Sequence, residues 1–182
     1  VKEPGRSFWN PSPTPKKRKA RIYAEVAGYG ATSEAYHMVV PREDGLEVAA
    51  TMRLALKDAG ITAAQVDYVN AHATATPVGD AVEIKGIRDV FRRRAEKIAI
   101  NATKSLIGHT LGAAGAIAGI VSVLTITTGQ IHPTINYDEP DPACDLPGIS
   151  RSLQRRPIKV ALSNAFGFGS NNAAVVFKKV PP

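Results

Sequence analysis

The chain has 182 residues, 44% of them hydrophobic and 21% charged, the size and balance of one globular domain with enough apolar material for a core. A single cysteine excludes an internal disulfide framework. The polar, Pro-rich opening lacks a signal-peptide core and no apolar run reads as long enough for a membrane span, so a cytoplasmic protein is the simplest expectation.

The formal charge of +7 suggests a nucleic-acid partner, but its distribution opposes that. Residues Val1 to Arg21 hold seven basic residues and one acidic residue, so nearly all the excess sits there. The remaining body is almost neutral. The leader, residues 1–20, contains Pro4, Pro11, Pro13 and Pro15 and then Lys16-Lys17-Arg18-Lys19. No packed element is expected before about Ala20, and a solvated leader explains the basic run better than a nucleic-acid site. The domain is therefore expected over residues 21–182.

From Arg21 the texture changes. Ile22 to Gly30 alternates and predicts a strand. Glu43 to Ala59 predicts a helix with Val48, Met52, Ala55, Leu56 and Ala59 on one face and Gly60 as its stop. Val66 to Asn70 predicts a short buried strand. Asp80 to Phe91 predicts a second helix, with Ile84, Ile87 and Phe91 inward and an Asp80-x-x-Glu83 capping box. Ile98 to Asn101 is another strand. Leu111 to about Thr127 is apolar nearly all round, which predicts a buried central helix. Lys159 to Asn164 and Ala173 to Lys178 close the domain as strands joined by a Gly-rich turn. The sum is an α/β domain, a five-stranded mixed sheet with helices on both faces.

Three clusters can carry chemistry, each after a strand or in a turn. The first runs from Asn70 through His72, Thr74 and Thr76 to Gly79-Asp80. It can present an imidazole into a cleft with the threonines orienting it, or it can be a loop with a satisfied structural histidine. The second is Thr103-Lys104-Ser105 followed by Gly108-His109 and a Gly/Ala-rich run. Small residues there are explained by close packing, which accounts less well for a Lys and a His at the mouth of a buried helix. The third is Asn164-Ala165-Phe166-Gly167-Phe168-Gly169, whose glycines allow unusual backbone angles. No basic residue lies inside it, so it is weak as a phosphate cradle. His72 and His109 lack the short spacing and accompanying ligands of a metal site, and none is expected.

Taken together and in this order, the clusters resemble the ketosynthase family, closest to its single-domain β-ketoacyl-[acyl-carrier-protein] synthase II members. The first resembles the family's His-Gly-Thr-x-Thr segment with the following Gly-Asp and Glu83. The second resembles its Thr-Lys-Ser…Gly-His segment, and the third its Asn-x-Phe-Gly-Phe-Gly turn. Tyr36-His37-Met38, Pro133-Thr134-Ile135-Asn136-Tyr137 and Cys144-Asp145-Leu146 match as well. The resemblance runs from about Arg21 to Lys179.

It implies the second half of a thiolase-like fold and a decarboxylative Claisen condensation of an acyl thioester with malonyl acyl carrier protein. It implies His72 and His109 as enolate-stabilising catalytic residues and Lys104 as the group that sets their field. Thr74 and Thr76 are implied as contacts to the pantetheine arm, Phe168 as the gate of the acyl pocket with Gly167 and Gly169 as its pivots, and Asp80 and Glu83 as supports. No cofactor is implied beyond the phosphopantetheine carried by the acyl carrier protein. The implied partners are that carrier protein, the malonyl and acyl thioesters, the N-terminal ketosynthase half and a second copy in a homodimer; a membrane and nucleic acid are not.

The sequence departs from the pattern in four places. The family's nucleophilic cysteine belongs to the first half, and Cys144 is read as structural and outside the active centre. The chain alone is therefore expected not to condense anything. Ala73 replaces a glycine and Ala75 stands where Ser or Gly is usual, so an added methyl is expected to crowd the loop. Ala118 stands where the family has a glutamate that organises the surroundings of the lysine. The abrupt onset of resemblance at Arg21 is read as truncation or gene splitting. A non-catalytic subunit of the chain-length-factor kind is the alternative, favoured by Ala118 and opposed by the retained His72, Lys104 and His109.

Overall fold

In the computed structural model, which describes residues 17–181, the mixed sheet is built from five strands in the order β1-β7-β6-β2-β3. These are β1 (Glu25–Ser33), β2 (Tyr68–Asn70), β3 (Ala99–Asn101), β6 (Val160–Gly167) and β7 (Asn171–Lys178). β1, β7 and β6 pair antiparallel, whereas β6, β2 and β3 run parallel. A separate two-stranded ribbon joins β4 (Gln130–Ile131) to β5 (Gln154–Arg155).

Within the described residues the α-helices that complete the domain are α1 (Leu46–Asp58), α2 (Gly79–Phe91), the short α3 (Lys104–Ile107) and α4 (Ala114–Thr128). Alternation along the strands feeds two cores. Val69, Leu162, Ala174 and Val176 pack with Val48, Met52 and Leu56 of α1 and Ile87 and Phe91 of α2. On the other face Tyr68, Ala161 and Phe177 pack with Ile126 of α4. Both faces are covered, as the α/β expectation requires.

Local chemistry explains the element ends. Gly60 adopts φ 62° beyond α1, and Ile61 N–H returns to Leu56 O at 3.0 Å, so the expected glycine stop is realised. The first strand begins three residues later than expected and runs on to Ser33. Its Gly28 and Gly30 let α1 approach closely: a Cβ on Gly28 would come within 2.5 Å of Ala55 O.

Three expectations fail. Asp80 and Glu83 form no capping box; α2 starts at Gly79 after Val78, with no side-chain cap, and both carboxylates turn to the preceding loop. The helix expected to be buried all round is buried only on its sheet side, at Ala118, Gly119, Ser122, Thr125 and Ile126. Leu111 is 74% and Leu124 51% exposed, because an all-round apolar helix needs a second layer and the described chain supplies one. Leu111–Thr128 also reaches 18 residues at mean hydropathy 1.8, so one stretch does meet the length of a membrane span. Its inner side packs on β6 and β7 as a core helix does. The leader expectation falls mostly on residues 1–16, which lie outside the described residues.

Candidate active site

The three clusters converge because they leave adjacent parallel strands at the same edge. Asn70 at the end of β2 pairs with Asn101 of β3 and with Ser163 of β6. Chains leaving parallel strands at their carboxyl ends open a crevice there. His72 follows β2, Lys104 follows β3, and Asn164 to Phe166 form the end of β6.

His72 is held by its neighbours rather than by the threonines beside it. Its main-chain N–H donates to Glu83 Oε1 at 2.9 Å. Lys104 Nζ donates to His72 O at 2.5 Å and stands 3.4 Å from His72 Nδ1. Burial, then the charge of Lys104 and that of His109, push the imidazole pKa down to about 3. A neutral ring facing an ammonium through Nδ1 accepts there and carries its proton on Nε2. Lys104 is itself lowered by burial, against the raising effect of the Glu83 and Asp80 charges.

His109 is fixed through the same ring nitrogen by another route. Leu111 N–H donates to His109 Nδ1 at 3.1 Å, which makes Nδ1 the acceptor and leaves the proton of a neutral ring on Nε2. The two rings meet edge to face, 5.8 Å between centroids. Phe166 packs against His72 at 5.7 Å.

The loop beneath His72 hangs on two carboxylates, Glu83 buried and Asp80 half-buried. Glu83 accepts from His72 N–H, Ala73 N–H and Asn164 Nδ2 at 2.9, 2.9 and 3.0 Å. Its pKa is raised by desolvation, partly offset by these bonds. Asp80, also raised by desolvation, accepts Ala75 N–H at 3.1 and 3.2 Å. Between them Ala73 and Ala75 take φ 37° and 59°. The family's glycine there meets a left-handed backbone, so the cost of alanine is conformational rather than the crowding expected.

Thr74 and Thr76 do not bond to the imidazole. Their hydroxyls lie 3.5 Å apart, and Thr76 Oγ1 accepts Gly79 N–H at 3.1 Å. Phe168 is 75% exposed and packs on neither histidine; Phe166 is the aromatic that does, and the sequence reading missed it. Gly169 has φ 72°, whereas Gly167 is extended with φ −108°. Gly169 N–H donates to Met38 O at 2.7 Å, joining the Tyr36-His37-Met38 loop to this turn.

A cavity of about 380 Å³ opens beside His109, with Ala71 and Ala73 on either side of His72 in its wall. Lys104, His109, Thr74, Asp80 and Glu83 line it, with Thr134 to Tyr137 opposite. Cys144 lines it too, so the cysteine lies at the cavity rather than outside the centre as expected. Burial raises its pKa, which disfavours the thiolate a nucleophile needs. Ala118 is buried on the sheet side of α4, where its carbonyl faces the Asn70 amide at 3.3 Å.

This arrangement has close relatives. The chain is 45% identical over 166 residues to 3-oxoacyl-[acyl-carrier-protein] synthase I, chloroplastic, of Hordeum vulgare, covering 91% of this chain and 36% of that protein. It is 46% identical over 162 residues to 3-oxoacyl-[acyl-carrier-protein] synthase 2 of Staphylococcus aureus, covering 89% and 39%. Among solved structures, a type II polyketide ketosynthase in complex with its acyl-carrier protein aligns with TM-score 0.88 at 42% identity, over 91% of this chain and 41% of that one. The chain thus spans about two fifths of the length of these relatives. The model of the β-ketoacyl synthase C-terminal domain matches residues 23–138, and the chain belongs to that family.

Proposed function

We propose that this chain supplies the enolate-stabilising half of a β-ketoacyl-acyl-carrier-protein synthase. The observation that carries the reading is the pair of touching imidazoles whose Nδ1 atoms are both occupied as acceptors, leaving their Nε2–H groups to donate, with His109 on the cavity wall. Loss of CO₂ from a malonyl thioester breaks the C2–carboxylate bond and leaves its electron pair as an enolate. Negative charge gathers on the thioester oxygen, and two preorganised N–H donors stabilise it. The enolate carbon then attacks an acyl thioester, expelling a thiolate and giving a β-ketoacyl thioester two carbons longer.

Lys104 keeps His72 in the donating tautomer and opposes its protonation. Thr74 and the cavity wall take the pantetheine arm of an acyl carrier protein. The acyl-bearing cysteine thiol comes from the N-terminal half of the condensing enzyme, because Cys144 has a raised pKa and none of the surroundings that activate a thiol. Cellular placement in the cytoplasm and a dimeric assembly are parts of the same reading. Ala118 favours the second reading, a non-catalytic partner subunit, because it removes the family's carboxylate from the helix behind the site.

One fusion separates the two. Residues 21–181 replace the matching part of the Staphylococcus aureus synthase, and elongation of acyl-carrier-protein thioesters is followed by mass spectrometry. Two-carbon extension supports the enzyme; a folded, carrier-binding fusion that extends nothing supports the non-catalytic subunit.

A further inference from the structure

Thr134 to Tyr137 form part of the cavity wall, and with His132 before them they meet the Lys104 loop through four hydrogen-bond contacts that the mechanism has not used. Asn101 Nδ2 donates to His132 O at 3.0 Å. Ala102 N–H donates to Thr134 Oγ1 at 3.1 Å. Thr103 Oγ1 lies 3.2 Å from His132 Nε2. Ile135 N–H donates to Ser105 Oγ at 3.1 Å. These tethers land on Asn101, Ala102, Thr103 and Ser105, and Lys104 is the residue they bracket.

Proton counting gives His132 a specific part. Its Nδ1 is 2.8 Å from Pro133 O, a carbonyl that only accepts, so Nδ1 bears the proton. In the neutral ring Nε2 is then an acceptor, and only the Thr103 hydroxyl can donate to it. That hydroxyl receives Asn70 Nδ2 at 2.9 Å, and its one proton is shared between Asn70 Oδ1, 3.1 Å away, and His132 Nε2. A connected network results, joining the Asn70 amide, Thr103, His132 and Pro133. Asn70 and Thr103 are 0% and 5% exposed, so no solvent replaces a missing link cheaply. Asn70 precedes His72 by two residues and Thr103 precedes Lys104 by one, so the network ties both active-site strand ends to one anchor.

We propose that His132 is a positioning residue: through Thr103 and Asn70, with the Thr134 and Ile135 contacts, it holds Lys104 against His72. The proposal rests on the reading of His72 and Lys104 as site residues but not on any turnover. A lysine side chain has four rotatable bonds, and its contact with His72 lasts only if its main chain is fixed on both sides.

The test is NMR titration of the His72 ring nitrogens and the Lys104 amine in the 182-residue chain. In His132→Leu, Lys104 should leave its buried seat. Its titration midpoint should rise toward the ordinary lysine value, and the His72 midpoint should rise with the loss of the facing charge, each by at least about half a pH unit. His132→Gln, which reaches the Nε2 position and can accept from Thr103, should restore both. Thr103→Val, isosteric at a buried site, should reproduce the leucine variant and serves if that variant does not fold. Unchanged midpoints in a folded His132→Leu or Thr103→Val chain, whatever the melting temperature does, would overturn the proposal. An inactive fusion with native midpoints would instead count against the proposed function alone.

Discussion

The rings of His72 and His109 stand 5.8 Å apart with their planes at 87°. They come from loops after different strands, and each is fixed through Nδ1, one facing an ammonium and the other accepting a main-chain N–H. The His109 bond uses only a main-chain group, which no sequence pattern marks, and together the two contacts define which nitrogen can donate to a substrate.

That tautomer assignment is directly measurable. Nitrogen-15 spectra at pH 8 should show both rings neutral, with bare Nδ1 and protonated Nε2. Lys104→Met removes the group that faces His72 Nδ1, so the His72 spectrum alone should shift toward a tautomer mixture. A protonated Nδ1 on either ring in the native chain contradicts the geometry.

His72 also makes stability depend on pH. Its folded pKa of about 3 lies below the ordinary 6.5, so between these values the unfolded chain binds more protons than the folded one. Acid then favours unfolding across that window. Urea denaturation from pH 7 to pH 4 should show stability falling, and His72→Gln should flatten part of the slope.

Glu83 is a buried acceptor for three N–H groups. Glu83→Gln sets an amide NH₂ against at least one donor and should cost about 2–3 kcal/mol. Chemical denaturation measures it. An unchanged midpoint would mean that the carboxylate does not hold the loop.

Ala73 and Ala75 sit at positive φ, where alanine is strained by about 1–2 kcal/mol and glycine is not. Glycine loses more unfolded-state entropy, so Ala73→Gly and Ala75→Gly should each stabilise by about 0.5 kcal/mol. In contrast Gly28→Ala, which meets the α1 backbone, should destabilise by about 3 kcal/mol. Thermal denaturation distinguishes the opposite signs.

The sequence made the sheet readable because β2 and β3 are short and buried, β1 alternates, and the Gly60 stop behaves as its chemistry dictates. The site was legible only as residue types. What holds His72 comes from 11 and 32 positions away, at Glu83 and Lys104, and no local pattern reports such distances. The adjacent threonines were the nearer and wrong choice. Phe166 and Phe168 differ by two positions, but β6 ends at Gly167, so one packs on His72 and the other faces out. Burial of α4 was overestimated because composition shows that a helix wants two neighbours, not whether its own chain provides both.

The most direct test of the account is decarboxylation without condensation. In the fusion with the Staphylococcus aureus half, CO₂ release from malonyl acyl carrier protein isolates the step the two imidazoles serve. His72→Ala and His109→Ala should each slow it by about 10²–10³-fold, with folding and carrier binding retained. Release at the native rate from either folded variant would contradict the assignment of these histidines to the enolate.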